Sequence, residues 1–247
     1  MKDKVVVITG GASGMGLAVA KALAPSNTVV SLDRNAAKIE AMMKALPTVR
    51  SVRTDITSAG QRSAAIATIE KEIGRIDVLI NNAGVGGAFD FVHTDVEELE
   101  RCMRNELAVN YEAPVLLTKQ ALGLLKKSAS PIVVVSTTGL VYTPMANLGS
   151  YCASKAATHF ITLAIRHQLA REGVRVVEVL PPSVDTELNF AKEGKKITAD
   201  EFAAEFLAGL DHGHEVINVG QSAMLEKFSR IAPSMAFRML NKDPDAK

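Results

Sequence analysis

A doubly wound α/β fold, with about seven mostly parallel strands and helices on both faces, is predicted by three features of this 247-residue sequence. Short β-branched runs alternate with longer segments of helical spacing from the first residues onward. Several of those runs are apolar at consecutive positions, as strands covered on both faces require. A glycine-rich turn joins the first run to the first helical segment, beside the crevice such a fold opens at the carboxyl ends of its strands.

The strand-like runs are KVVVIT (4–9), TVVSL (28–32), VRSVRT (49–54), IDVLIN (76–81), IVVVS (132–136) and VRVVEVL (174–180). Helical spacing appears in GLAVAKALA (16–24), AAKIEAMMKAL (36–46), GQRSAAIATIEKEIG (60–74) and the long SYCASKAATHFITLAIRHQLA (150–170). Strand–helix–strand repetition of this kind predicts right-handed crossovers. After Pro181 the chain turns polar, with Gly-Lys-Lys at 194–196, and helical runs follow at 198–210 and 221–231. With no linker or repeat in evidence, 1–247 reads as one domain. Within it, 1–90 forms the main nucleotide-binding half, 183–213 a substrate-side lid and 215–247 a terminal strand and helix extension.

Hydrophobic residues make up 47% and charged residues 22%, ordinary for a globular chain with a sizeable core. A net charge of +1 without a dense Lys/Arg block gives no support to a nucleic-acid or anionic-membrane partner. Cys102 and Cys152 lack the spacing of a disulfide framework or zinc site. No metal is expected. Nothing at Met1-Lys2-Asp3-Lys4 resembles a signal peptide and no apolar stretch is long enough to span a bilayer, so the cytoplasm is the expected location.

The turn TGGASGMG (9–16) opens a helix directly after a strand. Glycine permits positive φ and close approach of backbone to a ligand, and the helix N-terminus suits a pyrophosphate. Asp33 ends the second strand, where a carboxylate accepts both ribose hydroxyls of NAD and repels the 2′-phosphate of NADP. Arg34 beside it would accommodate that phosphate, so NAD(H) is preferred and NADP(H) stays open. Asp55 is placed either to meet an adenine edge or to cap the next helix. Asn81 and Asn82, in NNAG (81–84), can lock neighbouring turns through side-chain bonds to backbone.

Tyr151 and Lys155 stand at i and i+4 on the long helix and project from one side. A free tyrosine, with a pKa of about 10, exchanges protons poorly at neutral pH. An ammonium about 5 Å away, at an effective dielectric of about 20, favours phenolate by roughly 3 kcal/mol, or about two pKa units. Three hydroxyls, Ser136, Thr137 and Thr138, end the fifth strand. Residues 136 and 138 face one way and Thr137 the other. Either Ser136 or Thr138 could reach a substrate oxygen, and a threonine hydroxyl donates the same bond as a serine while its methyl narrows the pocket. Cys152 points about 100° away from Tyr151, against a thiol nucleophile.

Taken together, T-G-x-x-x-G-x-G, N-N-A-G, Asn110, the hydroxyls after strand five and Y-x-x-x-K resemble the short-chain dehydrogenase/reductase family over about residues 4–190. The resemblance implies a Rossmann-type fold, a nicotinamide cofactor, Tyr151 as acid/base and Lys155 as its modulator and ribose ligand. It implies that Asn110 holds a water linking Lys155 to solvent. It also implies cofactor contacts from Gly10, Ser13, Gly14, Met15, Gly16, Asp33, Arg34, Asp55, Ile56, Asn82, Ala83, Gly84, Pro181, Val184 and Thr186, the last at the carboxamide. A homodimer or homotetramer is the expected assembly.

The sequence departs from that family at three places. Thr138 stands where a serine is usual, so the resemblance favours it over Ser136, which needs two extra loop residues before Tyr151. Pro181-Pro182 replaces Pro-Gly, and the usual Asp-Gly-Gly ending is replaced by EVINVGQSAMLEKFSRIAPSMAFRMLNK (215–242). Pro-Pro-x-V-D-T, R-H-Q-L at 166–169 and this ending are most similar to the DltE-like branch. The expected activity is NAD(P)(H)-dependent interconversion of an alcohol and a ketone or aldehyde, on a small-molecule substrate. Its rivals are an NADPH-dependent carbonyl reductase and a non-catalytic cofactor-binding regulator or scaffold. Residues near 86–93, 140–149 and 183–213 lean apolar near the site, which points to an uncharged substrate.

Overall fold

The computed structural model describes residues 1–188 and 196–241. Its strands are β1 (Val5–Thr9), β2 (Thr28–Asp33), β3 (Arg50–Arg53), β4 (Val78–Asn81), β5 (Ile132–Ser136), β6 (Arg175–Leu180) and β7 (Val216–Asn218). They form one parallel sheet in the order β3-β2-β1-β4-β5-β6-β7. The order reverses between β1 and β4, which makes that gap the switch point where a ligand crevice opens.

The helices are α1 (Gly14–Leu23), α2 (Ala36–Ala45), α3 (Ala59–Glu72), α4 (Val96–Leu107), α5 (Ala113–Leu125), α6 (Gly149–Ala170), α7 (Ala199–Asp211), α8 (Ser222–Ile231) and α9 (Pro233–Leu240). Several start on side-chain caps. Asn35 accepts from the Lys38 N–H, Ser58 from the Gln61 N–H, and Thr198 and Glu201 form a reciprocal capping box. Between β4 and β5, where the sequence pattern predicted no particular element, α4 runs into α5 through a π-helical turn, Ala108–Glu112. Such turns widen a helix by one residue and recur at functional sites.

Alternation along the strands builds two cores. Val6, Ile8, Val134, Val177 and Val179 face one layer, and Val7, Leu79, Val133, Val135 and Val176 face the other. In the first layer Phe202 and Phe206 of α7 stack 5.9 Å apart between α1 and the sheet. Much of the stretch 183–213, expected to be a substrate-side lid, is therefore core: α7 cannot lift without exposing two fully buried phenyl rings. Residues 189–195, including the first residues of the Gly-Lys-Lys loop, lie outside the described residues, as do 242–247 of the expected terminal extension. Among the described residues no helix is long and apolar enough to cross a membrane.

Candidate active site

The glycine turn, the ends of β2 and β4 and the loop after β6 enclose a cleft of about 390 Å³. Gly10 and Gly14 take φ of +65° and +54°, left-handed values that a side chain resists. Ser13 caps α1 without a side-chain bond, so the first helical N–H groups of α1 are left for a ligand. Thr9 and Asn82 lock the floor. Thr9 Oγ1 accepts from the N–H groups of Asn82 and Ala83, each at 3.0 Å, while Asn82 Nδ2 donates to the Thr9 carbonyl at 3.1 Å. Asn81 instead donates to Thr118 Oγ1. Asn82 thus joins two strand ends through side-chain bonds to backbone, as its position suggested, while Asn81 ties β4 to α5.

Of the expected cofactor contacts, Gly10, Ser13, Gly14, Met15, Asp33, Arg34, Asp55, Ile56, Asn82, Ala83, Gly84 and Thr186 line this cleft. Gly16, Pro181 and Val184 do not, and neither do Tyr151 and Lys155. A Cβ on Gly16 would lie 2.2 Å from the Gly10 carbonyl oxygen, so this glycine is required for α1 to pack under the turn. Val184 is buried in the core beside α7, and Pro181 uses its carbonyl to hold the Gly139 N–H. Asp33 accepts from the Ala12 and Asn35 N–H groups, which fixes its carboxylate at the rim. Lys38, which the sequence reading missed, also lines the cleft and reaches across to Glu187 at 2.5 Å. Asp55 accepts the Thr57 N–H and hydroxyl through one oxygen and faces the cleft, whereas the cap of α3 is Ser58 and not Asp55. Burial alone would raise its pKa, but the Thr57 bonds and nearby Arg34 hold it below the ordinary carboxylate value.

At the inner end, Gly84 keeps its Cα bare against Lys155 and Asn110, whose Nζ and Oδ1 would lie 3.4 and 3.3 Å from an added Cβ. Asn110, in the π turn, accepts from the Val85 N–H and donates to the Val85 carbonyl and Ser154 Oγ. Its side chain thereby pins the cleft wall to α6, and its own carbonyl accepts from Thr158. Lys155 is buried and donates to the Ser136 carbonyl at 2.8 Å. Desolvation pushes its pKa down to about 8, opposed by the Glu178 carboxylate.

Tyr151 is buried on the same helix face, and Thr138 supplies a hydrogen bond to its side chain. Thr138 Oγ1 also accepts from the Leu140 N–H at 3.3 Å, which leaves its own proton for the phenol oxygen or another acceptor there. Ser136 lies one ladder step deeper, where its side chain borders Ile8, Val19, Phe202 and Phe206. Thr137 faces the opposite layer and donates to Glu178 Oε1 at 2.6 Å. One expectation is corrected: the Tyr151 phenol is not lowered. Burial pushes its pKa up, with Cys152 and Glu106 adding to the rise and Thr138 opposing it, so the residue is held as a protonated phenol. The Cys152 thiol is likewise pushed up by burial, away from thiolate chemistry.

Three groups, two of them buried, escaped the sequence reading. Glu106 lies beside the tyrosine and accepts from the Gly87 N–H, while its second oxygen has no hydrogen-bond partner. Glu178 and His159 pair behind the lysine. The available signal was Glu178 itself, a carboxylate inside the otherwise apolar run VVEVL. Among the described residues no group of three or more His, Cys, Asp or Glu could hold a metal ion.

The family model for short chain dehydrogenase matches residues 4–196. The chain is 34% identical over 248 residues, 98% of each sequence, to "Uncharacterized oxidoreductase DltE" of Bacillus subtilis (strain 168). A short chain dehydrogenase from Burkholderia cenocepacia J2315, solved in complex with NADP, superposes with a TM-score of 0.85 at 25% identity, covering 98% of this chain and 99% of that one. A 3-ketoacyl-(acyl-carrier-protein) reductase from Brucella melitensis, complexed with NADH, gives 0.78 at 27% identity, covering 90% and 99%. A relative at that identity along the whole length, and a family model spanning β1 to the loop after β6, place this chain in the short-chain dehydrogenase family of oxidoreductases acting on CH–OH groups.

Proposed function

We propose that this protein interconverts an alcohol and a ketone or aldehyde with NAD(H), using Tyr151 as acid and base, Lys155 as its charged neighbour and Thr138 as the substrate-oxygen ligand. The observation that carries the reading is that Thr138 hydrogen-bonds the Tyr151 side chain while Lys155, one turn further along the same helix, abuts Gly84 of the glycine-floored cleft. When bound there, the nicotinamide supplies or accepts hydride. The residues present fit such a group, since Gly10, Gly14 and the N-terminus of α1 form a cradle that side chains would fill. Asp33 would hold the adenosine ribose and Lys155 the nicotinamide ribose.

The rest of the chemistry belongs to the chain. In reduction, Thr138 donates a hydrogen bond to the carbonyl oxygen and Tyr151 delivers its proton to the developing alkoxide. The buried, protonated phenol suits that direction. In oxidation the same oxygen must lose its proton to Tyr151, and the Lys155 ammonium, one turn away, stabilises the phenolate that accepts it. Asn110 keeps Val85 and α6 in register, so the cleft wall and the acid–base pair move together.

The preference for NAD(H) rests on Asp33, whose carboxylate is fixed at the cleft rim and would repel a 2′-phosphate. Lys38, an ammonium in the cleft lining, is already paired with Glu187. Binding titrations of NADH and NADPH by nucleotide fluorescence test the preference, and tighter NADPH binding overturns it. A panel of uncharged alcohols and ketones tests the activity. Cofactor binding without turnover across that panel would favour a regulator or scaffold instead.

A further inference from the structure

Glu178 stands in the middle of β6, wholly buried between valines. A carboxylate in that position needs compensation. His159 Nδ1 lies 2.9 Å from each of its oxygens and Thr137 Oγ1 donates to one at 2.6 Å. His159 follows Lys155 by one helical turn, and Lys155 follows Tyr151 by one, so all three line one face of α6. In the sheet, Glu178 lies opposite Val135 and next to the Ser136–Val179 pair. Its ligand Thr137 therefore sits between the carbonyl that holds Lys155 and the hydroxyl that meets Tyr151.

We propose that Glu178 is the counter-charge of Lys155, a positioning residue clasped by His159 and Thr137 that keeps the ammonium protonated and the 136–138 segment in place. The proposal rests on the Tyr151–Lys155 reading given above. Lys155 hydrogen-bonds a carbonyl, which carries no full charge to set against desolvation. The carboxylate one strand away does, and it raises the lysine against the burial that lowers it. Its bond to Glu178 likewise raises the pKa of His159 above the ordinary histidine value. The other charged or titratable groups around this pair are Tyr142 after β5, Arg166 on α6, and Glu226 and Arg230 on α8. Glu226 is engaged by Arg230 and Asn218, each at 2.7 Å, and Arg166 donates to the Val176 and Glu215 carbonyls. Lys155 and His159 remain as the basic groups addressed to Glu178.

Glu178→Gln keeps shape and hydrogen bonding but removes charge, whereas Glu178→Asp keeps charge and disturbs shape. The test is the pH profile of alcohol oxidation for both variants, for Tyr151→Phe and for the parent. With Glu178→Gln the acidic limb is expected to move about one unit to higher pH, because a deprotonated Lys155 no longer favours phenolate. With Glu178→Asp the limb stays near the parent position even where kcat falls. A packing role predicts the reverse order, with Asp worse than Gln. A second measurement needs no turnover: the His159 ring-proton NMR titration, assigned by its loss in His159→Gln, should fall toward the ordinary histidine range in Glu178→Gln. Superimposable profiles for Glu178→Gln and parent, with Tyr151→Phe inactive, overturn the role of Glu178 and leave the tyrosine reading standing. Activity retained in Tyr151→Phe overturns the tyrosine reading first, and an unmoved His159 titration removes the clasp.

Discussion

Gly16→Ala isolates the fit between α1 and the glycine turn. The added methyl would lie 2.2 Å from the Gly10 carbonyl oxygen and 2.6 Å from Asn82 Nδ2, against 3.4–4 Å for ordinary contact. Neither neighbour is free to retreat. Gly10 is held by its N–H bond to the Leu32 carbonyl, and Asn82 by its bonds to Thr9. Replacing glycine inside a helix gains up to about 1 kcal/mol. Overpacking a closed site costs about 1–3 kcal/mol, and breaking one of the turn's hydrogen bonds about 1 more. The net destabilisation is about 1–3 kcal/mol, a fall in Tm of roughly 3–10 °C for a chain of this size. Gly123→Ala, at an exposed position of α5 with no atom within 4 Å, should instead raise Tm by about 2–4 °C. Thermal melts of both variants, with NADH binding followed by fluorescence, check the pair. Binding should weaken at least about tenfold in Gly16→Ala, a loss of about 1.4 kcal/mol, and stay unchanged in Gly123→Ala. A Gly16→Ala protein that melts at or above the parent temperature with unaltered NADH affinity would refute the packing.

Three further outcomes are expected. Thr138→Val should lower kcat by about 10²-fold while Thr138→Ser and Ser136→Ala stay within about threefold, measured on the best substrate of the panel; a larger loss in Ser136→Ala reverses the assignment. Asp33→Ala should shift the NADH/NADPH affinity ratio toward NADPH by about tenfold, worth about 1.4 kcal/mol, and an unchanged ratio would place the selectivity elsewhere. Asp77 is a stability group: its carboxylate accepts the Val5 N–H, the Ser128 hydroxyl and Arg75 Nε. Burial would raise its pKa, but those bonds hold it below 3.8. Its contribution is thus present above the unfolded value and lost as pH falls through the lower folded one. The Tm deficit of Asp77→Asn should therefore be full at pH 7 and shrink in acid, and a deficit independent of pH would show that charge plays no part.

Legibility in the sequence followed the range of the forces. The six strand-like runs lie within a residue or two of β1 to β6, because consecutive apolar β-branched residues have no stable place except a doubly covered sheet. The three residues of β7 stand at the start of the stretch expected to hold a terminal strand, and pairing with Leu180 and its neighbours fixes their bounds. Tyr151 and Lys155 were readable because i and i+4 on a helix are neighbours by geometry alone. The packing demand at Gly16 was not legible, since a glycine spacing does not tell ligand approach from helix packing. The tyrosine's protonation also escaped, because the sequence shows the nearby ammonium but not the desolvation that opposes it. His159 and Glu178 lie on different elements, and only the sheet register and the docking of α6 bring them together. Ser136 and Thr138 share a strand face, yet the ladder ends at Ser136, and the hydroxyl beyond that end is the one beside Tyr151.

Tyr151→Phe removes one oxygen atom and is the most direct measurement on the proposed proton transfer. Turnover with the best alcohol or ketone of the panel should fall by about 10²–10⁴-fold, the usual worth of a general acid or base, while NADH affinity stays within about threefold. A variant that binds NADH as the parent does and retains turnover within about tenfold would contradict the assignment of Tyr151 as the proton carrier.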